Sequence, residues 1–194
     1  MKVLRHLPNL ISVIRLLLIV PITMSILEGN YLQGILLFAI AGISDGLDGY
    51  LARKFDWISA FGTIIDPVAD KLLLLAISIA LTVLGHFPVM LLLLLMTKDL
   101  VILGGVLVYT VMAGFPEIRP LFIGKVTTTV QLLLLGYILV TLIMANMPVL
   151  STMTPLLIWI VVSATLLDGC LYLWVWTVKL AHDSRWNPLA EVEA

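Results

Sequence analysis

Four aspartates with helical spacing are the residues of this chain most able to do chemistry. Asp45 and Asp48 are three residues apart, and Asp66 and Asp70 are four residues apart. At these spacings the two members of each pair lie on the same face of a helix. Carboxylate oxygens are the ligands that hard cations such as Mg²⁺ and Mn²⁺ prefer, and four negative charges balance two divalent cations. The pattern therefore predicts a site for two divalent metal ions.

Small residues and one arginine accompany these carboxylates. Gly46, Gly49, Ala52 and Gly62 leave room for a bulky ligand to approach the backbone, and Arg53 offers a planar donor fork suited to a phosphate. An aspartate at the centre of a lipid-exposed helix costs about 2.5–3.5 kcal/mol, so four of them require a watery cavity and positive charge. The alternative interpretation, a solvated loop with incidental charge, explains neither the spacing nor the small neighbours.

The elements that must position these residues are apolar helices. Of the 194 residues, 61% are hydrophobic and only 12% are charged, which is about half the usual charged share. So few charges cannot cover a water-facing surface, and each membrane span needs about 20 apolar residues. Six apolar segments are predicted, approximately at 9–27, 32–51, 60–84, 88–112, 121–144 and 155–178. Turns are predicted between them at 28–30, 85–88, 114–116 and 147–154. We therefore expect one all-α integral membrane domain over residues 1–194, folded as a six-transmembrane-helix bundle.

The distribution of basic residues predicts the orientation of this bundle. Lys and Arg precede the first segment, occur in the second and fourth connections and follow the sixth segment, whereas the other three connections contain neither. By the positive-inside rule both termini are cytoplasmic, and the aspartates lie at a cytoplasmic-side active site. Arg15 interrupts the first apolar run, which favours a retained helix over a signal peptide, and the absence of a transit segment favours a prokaryotic plasma membrane.

The net charge and the single cysteine argue against nucleic-acid binding and against a disulfide framework or a cysteine metal site. The net charge is −1 and no basic run is present, so no nucleic-acid partner is expected. Cys170 is the only cysteine and lies in an apolar run, where we expect a buried, inert thiol.

Residues 45–70 read DGLDGYLARKFDWISAFGTIIDPVAD. This segment resembles the motif of the CDP-alcohol phosphatidyltransferase family, D-x2-D-G-x2-A-R-x8-G-x3-D-x3-D, with every specified position filled. The segment LPNLISVIR at 7–15 resembles the entry helix of the same family. The resemblance implies transfer of a phosphatidyl group from a CDP-activated lipid to an alcohol, with two divalent cations, in an enzyme that forms a homodimer.

The resemblance also implies a role for individual residues. The metal ligands would be Asp45, Asp48, Asp66 and Asp70, of which Asp70 would also be the general base. The residues that would contact CDP-diacylglycerol are Asn9, Arg15, Gly49, Ala52, Arg53 and Gly62.

The acceptor is expected to be anionic. Residues 119–131 resemble a stretch shared by phosphatidylglycerophosphate synthases, which use glycerol 3-phosphate, and CMP-forming cardiolipin synthases, which use phosphatidylglycerol. The cations expected to bind the acceptor are Lys98, Arg119 and Lys125. Lys98-Asp99 replaces an Arg-Glu pair of the first branch and Thr127 replaces a Lys, and both differences point to the second branch. A short chain without a transit segment favours glycerol 3-phosphate, which we expect as the acceptor, with phosphatidylglycerol as the alternative.

Alternative interpretations remain for three charged residues and for the function as a whole. Lys98 and Asp99 could simply be linked to each other at the end of a tilted helix. Asp168 could bond to a neighbouring helix or to the Thr165 hydroxyl, or could act at the site. An ion-coupled transporter would also bury carboxylates, but it predicts inverted repeats and a polar path through both leaflets. Here the acids are confined to one side, and the first three segments do not resemble the last three.

Overall fold

The computed structural model describes the backbone of residues 7–54, 60–113, 122–144 and 148–182. Within these ranges, side chains are described except at 7–11, 45–53, 60–67, 106–113, 122, 148–151, 176 and 179–182. This part of the chain is all-helical. Its helices are α1 Leu7–Leu27, α2 Tyr31–Lys54, α3 Ala60–Val83, α4 Val89–Ala113, α5 Phe122–Ile143 and α6 Pro148–His182.

The predicted helices are confirmed, with one correction. The first five begin and end within about three residues of the predicted bounds, which is the usual uncertainty of helix ends. The turn predicted at 147–154 is wrong over its described part, because α6 already begins at Pro148 and continues through Pro155. Proline is favoured at the first position of a helix, where its missing N–H needs no partner. Pro155 lies in the helix interior, a position that membrane helices tolerate because neighbouring groups satisfy the carbonyl that proline leaves free.

The turns after α1 and α3 have the same geometry. Gly29 has φ 78° and Gly85 has φ 77°, in the left-handed region that favours glycine. After α1, the Gly29 N–H donates to the Ile26 carbonyl at 3.0 Å and the Asn30 N–H donates to the Ser25 carbonyl at 2.8 Å. This pair of bonds is the Schellman motif, which satisfies the last carbonyls of a helix. Both predicted turns are therefore confirmed.

The described residues pack as two compact units. The first comprises Met1–Leu92 with Leu132–Thr154, and the second comprises Leu93–Gln131 with Pro155–Ala194. In the first unit α1 packs against both α2 and α3. A Cβ added to Gly34 of α2 would lie 3.0 Å from Cγ1 of Ile26, so a glycine at this position lets α2 approach α1 closely. This grouping does not test the prediction of a single domain.

Large apolar side chains cover much of the described surface. Leu17, Val20, Leu103, Trp159 and Trp174 are among the many that are exposed. Of the described helical stretches, Ile123–Ile143 and Thr152–Val175 are long and apolar enough to cross a membrane, and shorter apolar stretches occur at Ser12–Leu27 and Tyr31–Ser44. This surface is consistent with a helical membrane protein, whereas the number of spans stays a prediction.

Cys170 is exposed, so the prediction of a buried thiol is wrong. Its neighbours Leu167, Leu171 and Trp174 on α6 are exposed as well. In a chain whose outer surface is apolar, apolar neighbours do not indicate an interior position.

Hydroxyl groups inside the helices bond to their own backbone. Ser78 donates to the Leu74 carbonyl and Thr165 donates to the Val161 carbonyl, each at 2.7 Å and four residues back. Thr23, Ser25, Ser44 and Thr82 make the same kind of bond. These polar groups are satisfied within one helix and need no partner from another.

Candidate active site

An ion pair between α1 and α3 is the described centre of the candidate site. Arg15 Nη1 donates to Asp70 Oδ1 at 2.6 Å. The Arg15 side chain is fully buried, while the Asp70 side chain is 35% exposed. Both residues lie in the first compact unit, where α1 packs on α3. A buried guanidinium requires a compensating charge, so this contact holds the Asp70 carboxylate in one place while leaving part of it accessible.

The residues next to Asp70 on α3 allow the arginine to reach it. Ala69 is fully buried and Leu73 nearly so, whereas Val68 and Lys71 are exposed. The alternation of buried and exposed positions places Asp70 at the edge of the packed face of α3. Ser12, one turn before Arg15 on α1, is buried too, so this stretch of α1 carries two polar side chains into the interior.

The other predicted metal ligands are placed by their helices alone. Residues 45 and 48 lie in α2, and residue 66 lies in α3 with Asp70. The side chains of Asp45, Asp48 and Asp66 lie outside the described residues, so their convergence on a metal site stays a prediction. Among the side chains that are described, no group of three or more His, Cys, Asp or Glu could hold a metal ion.

The donor chemistry fits a hard divalent cation. All four predicted ligands are carboxylates, which suit Mg²⁺ or Mn²⁺. Asp70 has an accessible carboxylate and already faces a positive group, as a metal ligand would. The predicted CDP-lipid ligands other than Arg15 are not described at the side-chain level, namely Asn9, Gly49, Ala52, Arg53 and Gly62.

A second charged cluster joins α4 to α6 within the second unit. Lys98 Nζ donates to Asp168 Oδ2 at 3.3 Å and lies 3.5 Å from Asp99 Oδ1. The Lys98 and Asp168 side chains are 9% and 1% exposed, and that of Asp99 is 40% exposed. Of the alternatives left open for Asp168, the structure shows the bond to another helix. Thr165 is not its partner, because that hydroxyl donates to the Val161 carbonyl.

Helix α5 approaches α6 closely beside this cluster. A Cβ added to Gly124 would lie 3.6 Å from Asp168 Oδ1 and 3.5 Å from Tyr172 Oη. The Thr127 hydroxyl, one turn later, lies 3.0 Å from the Ile123 carbonyl of its own helix and 3.3 Å from the Ala164 carbonyl of α6, and its single hydrogen is shared between them. Lys125 follows Gly124 and is exposed. Arg119, the remaining cation predicted to bind the acceptor, lies outside the described residues.

Sequence reasoning identified the charged residues but not which of them pair. It gave Arg15 a place at the CDP-lipid, which stays a prediction, and left Asp168 open. The structure adds that Arg15 pairs with Asp70 and that Asp168 pairs with Lys98. Isolated opposite charges on different apolar helices were the available signal, since such charges must pair inside a membrane protein.

The sequence pattern of CDP-alcohol phosphatidyltransferases matches residues 5–181, which include all of α1 to α5 and all of α6 except its last residue. The chain belongs to the CDP-alcohol phosphatidyltransferase family. It is therefore an enzyme of phosphatidyl transfer, as its resemblance implied.

Relatives of this phosphatidyltransferase carry two names. A Rickettsia felis protein named CDP-diacylglycerol–glycerol-3-phosphate 3-phosphatidyltransferase is 28% identical over 176 residues, which cover 89% of this chain and 96% of the relative. A Mycoplasma genitalium protein of the same name is 46% identical over 78 residues, covering 40% of this chain and 33% of the relative. A rat protein named CMP-forming cardiolipin synthase is 33% identical over 141 residues, covering 64% of this chain and 46% of the relative. The matches to the second and third relatives thus span less than half of each.

Proposed function

We propose that this enzyme transfers the phosphatidyl group of CDP-diacylglycerol to glycerol 3-phosphate, with release of CMP, in phospholipid biosynthesis. The observation that carries the proposal is the match across residues 5–181 to the family whose motif contains Asp70. The choice of acceptor is supported by the Rickettsia felis relative, which is named for this reaction and is matched over 96% of its length.

The proposed step is an in-line displacement. The acceptor hydroxyl attacks the phosphorus that carries diacylglycerol, and a new P–O ester bond forms. The bond from that phosphorus to the bridging oxygen breaks, and its electron pair leaves with CMP. Asp70 accepts the hydroxyl proton, a role that its accessible carboxylate permits. Arg15 holds that carboxylate in position and offsets its negative charge.

Binding of the CDP-lipid and of two divalent cations is proposed from the motif. Asp45, Asp48, Asp66 and Asp70 would hold Mg²⁺ or Mn²⁺. When bound, these ions would neutralise charge that develops on the attacking and leaving oxygens. The CDP-lipid would contact Asn9, Arg15, Gly49, Ala52, Arg53 and Gly62.

The site is proposed to open to the cytoplasm from a six-span bundle. Exposed apolar side chains on the helices and the two stretches long enough to span a bilayer support a membrane setting. The positive-inside distribution supports cytoplasmic termini. The plasma membrane of a prokaryote is proposed as the setting, with support from the bacterial relatives. A homodimer is proposed from the family resemblance alone.

Phosphatidylglycerol is the second candidate acceptor, which would make the enzyme a CMP-forming cardiolipin synthase. The rat relative of that name is 33% identical over 64% of this chain. The Lys98-Asp99 pair also favours this branch over the first.

The test is CMP release by purified protein with CDP-diacylglycerol and Mg²⁺ or Mn²⁺. Glycerol 3-phosphate, phosphatidylglycerol, inositol phosphate and serine are compared as acceptors. Release that requires glycerol 3-phosphate and stops on addition of a chelator is expected. Release with phosphatidylglycerol alone would replace the proposal by its alternative. No release from folded, metal-loaded protein with any acceptor would overturn both and favour the transporter interpretation.

A further inference from the structure

Asp168 is a buried carboxylate that the proposed reaction does not use. It lies inside α6, twenty residues after the start of that helix, and its side chain is 1% exposed. Of its two oxygens, Oδ2 accepts from Lys98, and Oδ1 has no hydrogen-bond partner among the described residues. An unmet buried carboxylate oxygen costs stability, and packing alone would be served better by an apolar residue.

Lys98 is the only cation described against Asp168. The contact is 3.3 Å, at the long end of hydrogen-bond distances, and the contact with Asp99 is longer at 3.5 Å. An ammonium has three N–H donors, and the described carboxylates can take two of them. Lys98 can therefore keep Asp168 as a partner and still donate one N–H to a ligand.

The two carboxylates restrain Lys98 to different extents. Asp99 follows Lys98 on the same helix, is 40% exposed and lies 3.5 Å from Nζ, so its contact is the longer and the less enclosed of the two. Asp168 comes from another helix and is almost fully buried, so its charge acts on Lys98 with little screening. Helix α5 passes so close that a Cβ added to Gly124 would lie 3.6 Å from Asp168 Oδ1, so α5 helps to enclose this carboxylate.

We propose that Asp168 is a positioning residue for the acceptor, one that holds the Lys98 ammonium where it donates to the acceptor's phosphate. The inference rests on the proposed function and on the expectation from the sequence that Lys98 binds that phosphate. A lysine has a flexible four-carbon side chain and gains orientation only from its contacts. With Asp168 fixed on α6, Lys98 meets the phosphate at one place and loses less conformational freedom on binding.

A purely structural ion pair would have different consequences. Replacing only one member of the pair would destabilise the protein. Replacing both members by apolar residues would restore stability and activity together. A positioning role predicts that stability returns in such a double variant while acceptor binding stays weak.

The experiment measures CMP release as a function of glycerol 3-phosphate concentration at saturating CDP-diacylglycerol. A second series varies CDP-diacylglycerol at saturating glycerol 3-phosphate. Asp168→Asn is expected to raise the KM for glycerol 3-phosphate about tenfold, with the KM for CDP-diacylglycerol nearly unchanged. Asp99→Asn is the matched control, because it makes the same change at the other partner of Lys98, and it should raise the acceptor KM less than about threefold.

The double variant Lys98→Met with Asp168→Leu separates positioning from packing. Its thermal unfolding midpoint in detergent should return close to that of the wild type, while its acceptor KM should equal that of Lys98→Met alone. If the wild-type enzyme is active, an acceptor KM that is unchanged in Asp168→Asn would overturn the inference. A wild-type acceptor KM in the double variant would overturn it as well. Wild-type protein that is inactive with every acceptor would overturn the proposed function as well.

Discussion

At the scale of single residues, the candidate site depends on charges buried where a membrane protein seldom tolerates them. The guanidinium of Arg15 is fully buried and pairs with the Asp70 carboxylate, which is partly exposed. One partner is therefore held in position, and the other is left accessible for chemistry.

Replacing Asp70 by Asn should abolish turnover and leave CDP-diacylglycerol binding largely intact. The amide keeps the size of the side chain but cannot take the acceptor proton, and loss of a general base costs about 10²–10⁴ in rate. Rates of CMP release and calorimetric titration with CDP-diacylglycerol would check this. Glu28→Gln, the same change in an exposed turn, is the control. A near-normal rate for Asp70→Asn would show that another group is the base.

Replacing Arg15 by Met should destabilise the protein more than replacing it by Lys. Methionine leaves Asp70 without this guanidinium, whereas lysine retains a charge and loses only the planar fork. Because Asp70 is partly exposed, we expect a loss of about 1–3 kcal/mol for Arg15→Met. Thermal unfolding midpoints in detergent measure the difference, and equal midpoints for both variants would show that the charge of Arg15 is unimportant for stability.

At the scale of elements, helix ends and interiors place opposite demands on glycine. Gly29 ends α1 with a positive φ, and Gly104 lies inside α4 with no atom within 4 Å of the position of a Cβ. Gly29→Ala should lower stability by about 1 kcal/mol, since only glycine adopts that conformation without strain. Gly104→Ala should raise stability by about 0.5–1 kcal/mol, since alanine is the better helix former. Thermal midpoints of the two variants should therefore shift in opposite directions, and shifts of the same sign would contradict this account.

The same elements show what sequence periodicity can and cannot predict. Length, apolar composition and turn residues were enough to find all six helices, because membrane-type helices are long and uninterrupted. They were not enough at the start of the sixth helix, where Pro148 was assigned to a turn and Pro155 to the first position of the helix, whereas α6 begins at Pro148 and contains Pro155. Proline breaks a helix only where its missing N–H or its ring has a cost, and at the first position of α6 it has none.

At the scale of the whole molecule, orientation is the property that composition predicts most directly. In a Cys170→Ser background, cysteines introduced at Glu28 and Lys54 should lie on opposite sides of the membrane. Both positions are exposed. A membrane-impermeant maleimide should label the cysteine at 28 in intact bacterial cells and the one at 54 only after lysis. Labelling in the reverse order would contradict the predicted orientation.

The site was predictable from the sequence to the extent that it is local. The spacing of the four aspartates and the small residues around them identified the motif, since helical periodicity relates residues within about one turn. Partners far apart in the chain were not predictable, because no periodicity relates Arg15 to Asp70 or Lys98 to Asp168. These pairs follow from how the helices pack, which depends on side-chain shapes over the whole interface.

The partners of the two interhelical ion pairs are synthesised at different times, because they are far apart in the chain. The Ser78 and Thr165 hydroxyls donate to carbonyls of their own helices. Their burial in the bilayer therefore needs no partner from a helix that is synthesised later. Arg15 emerges two helices before Asp70, and Lys98 emerges two helices before Asp168. Each helix that arrives first therefore enters the membrane before the helix that carries its interhelical partner. A nascent chain that stops before α6 would retain Lys98 without its interhelical partner, with only the contact to Asp99 on the same helix.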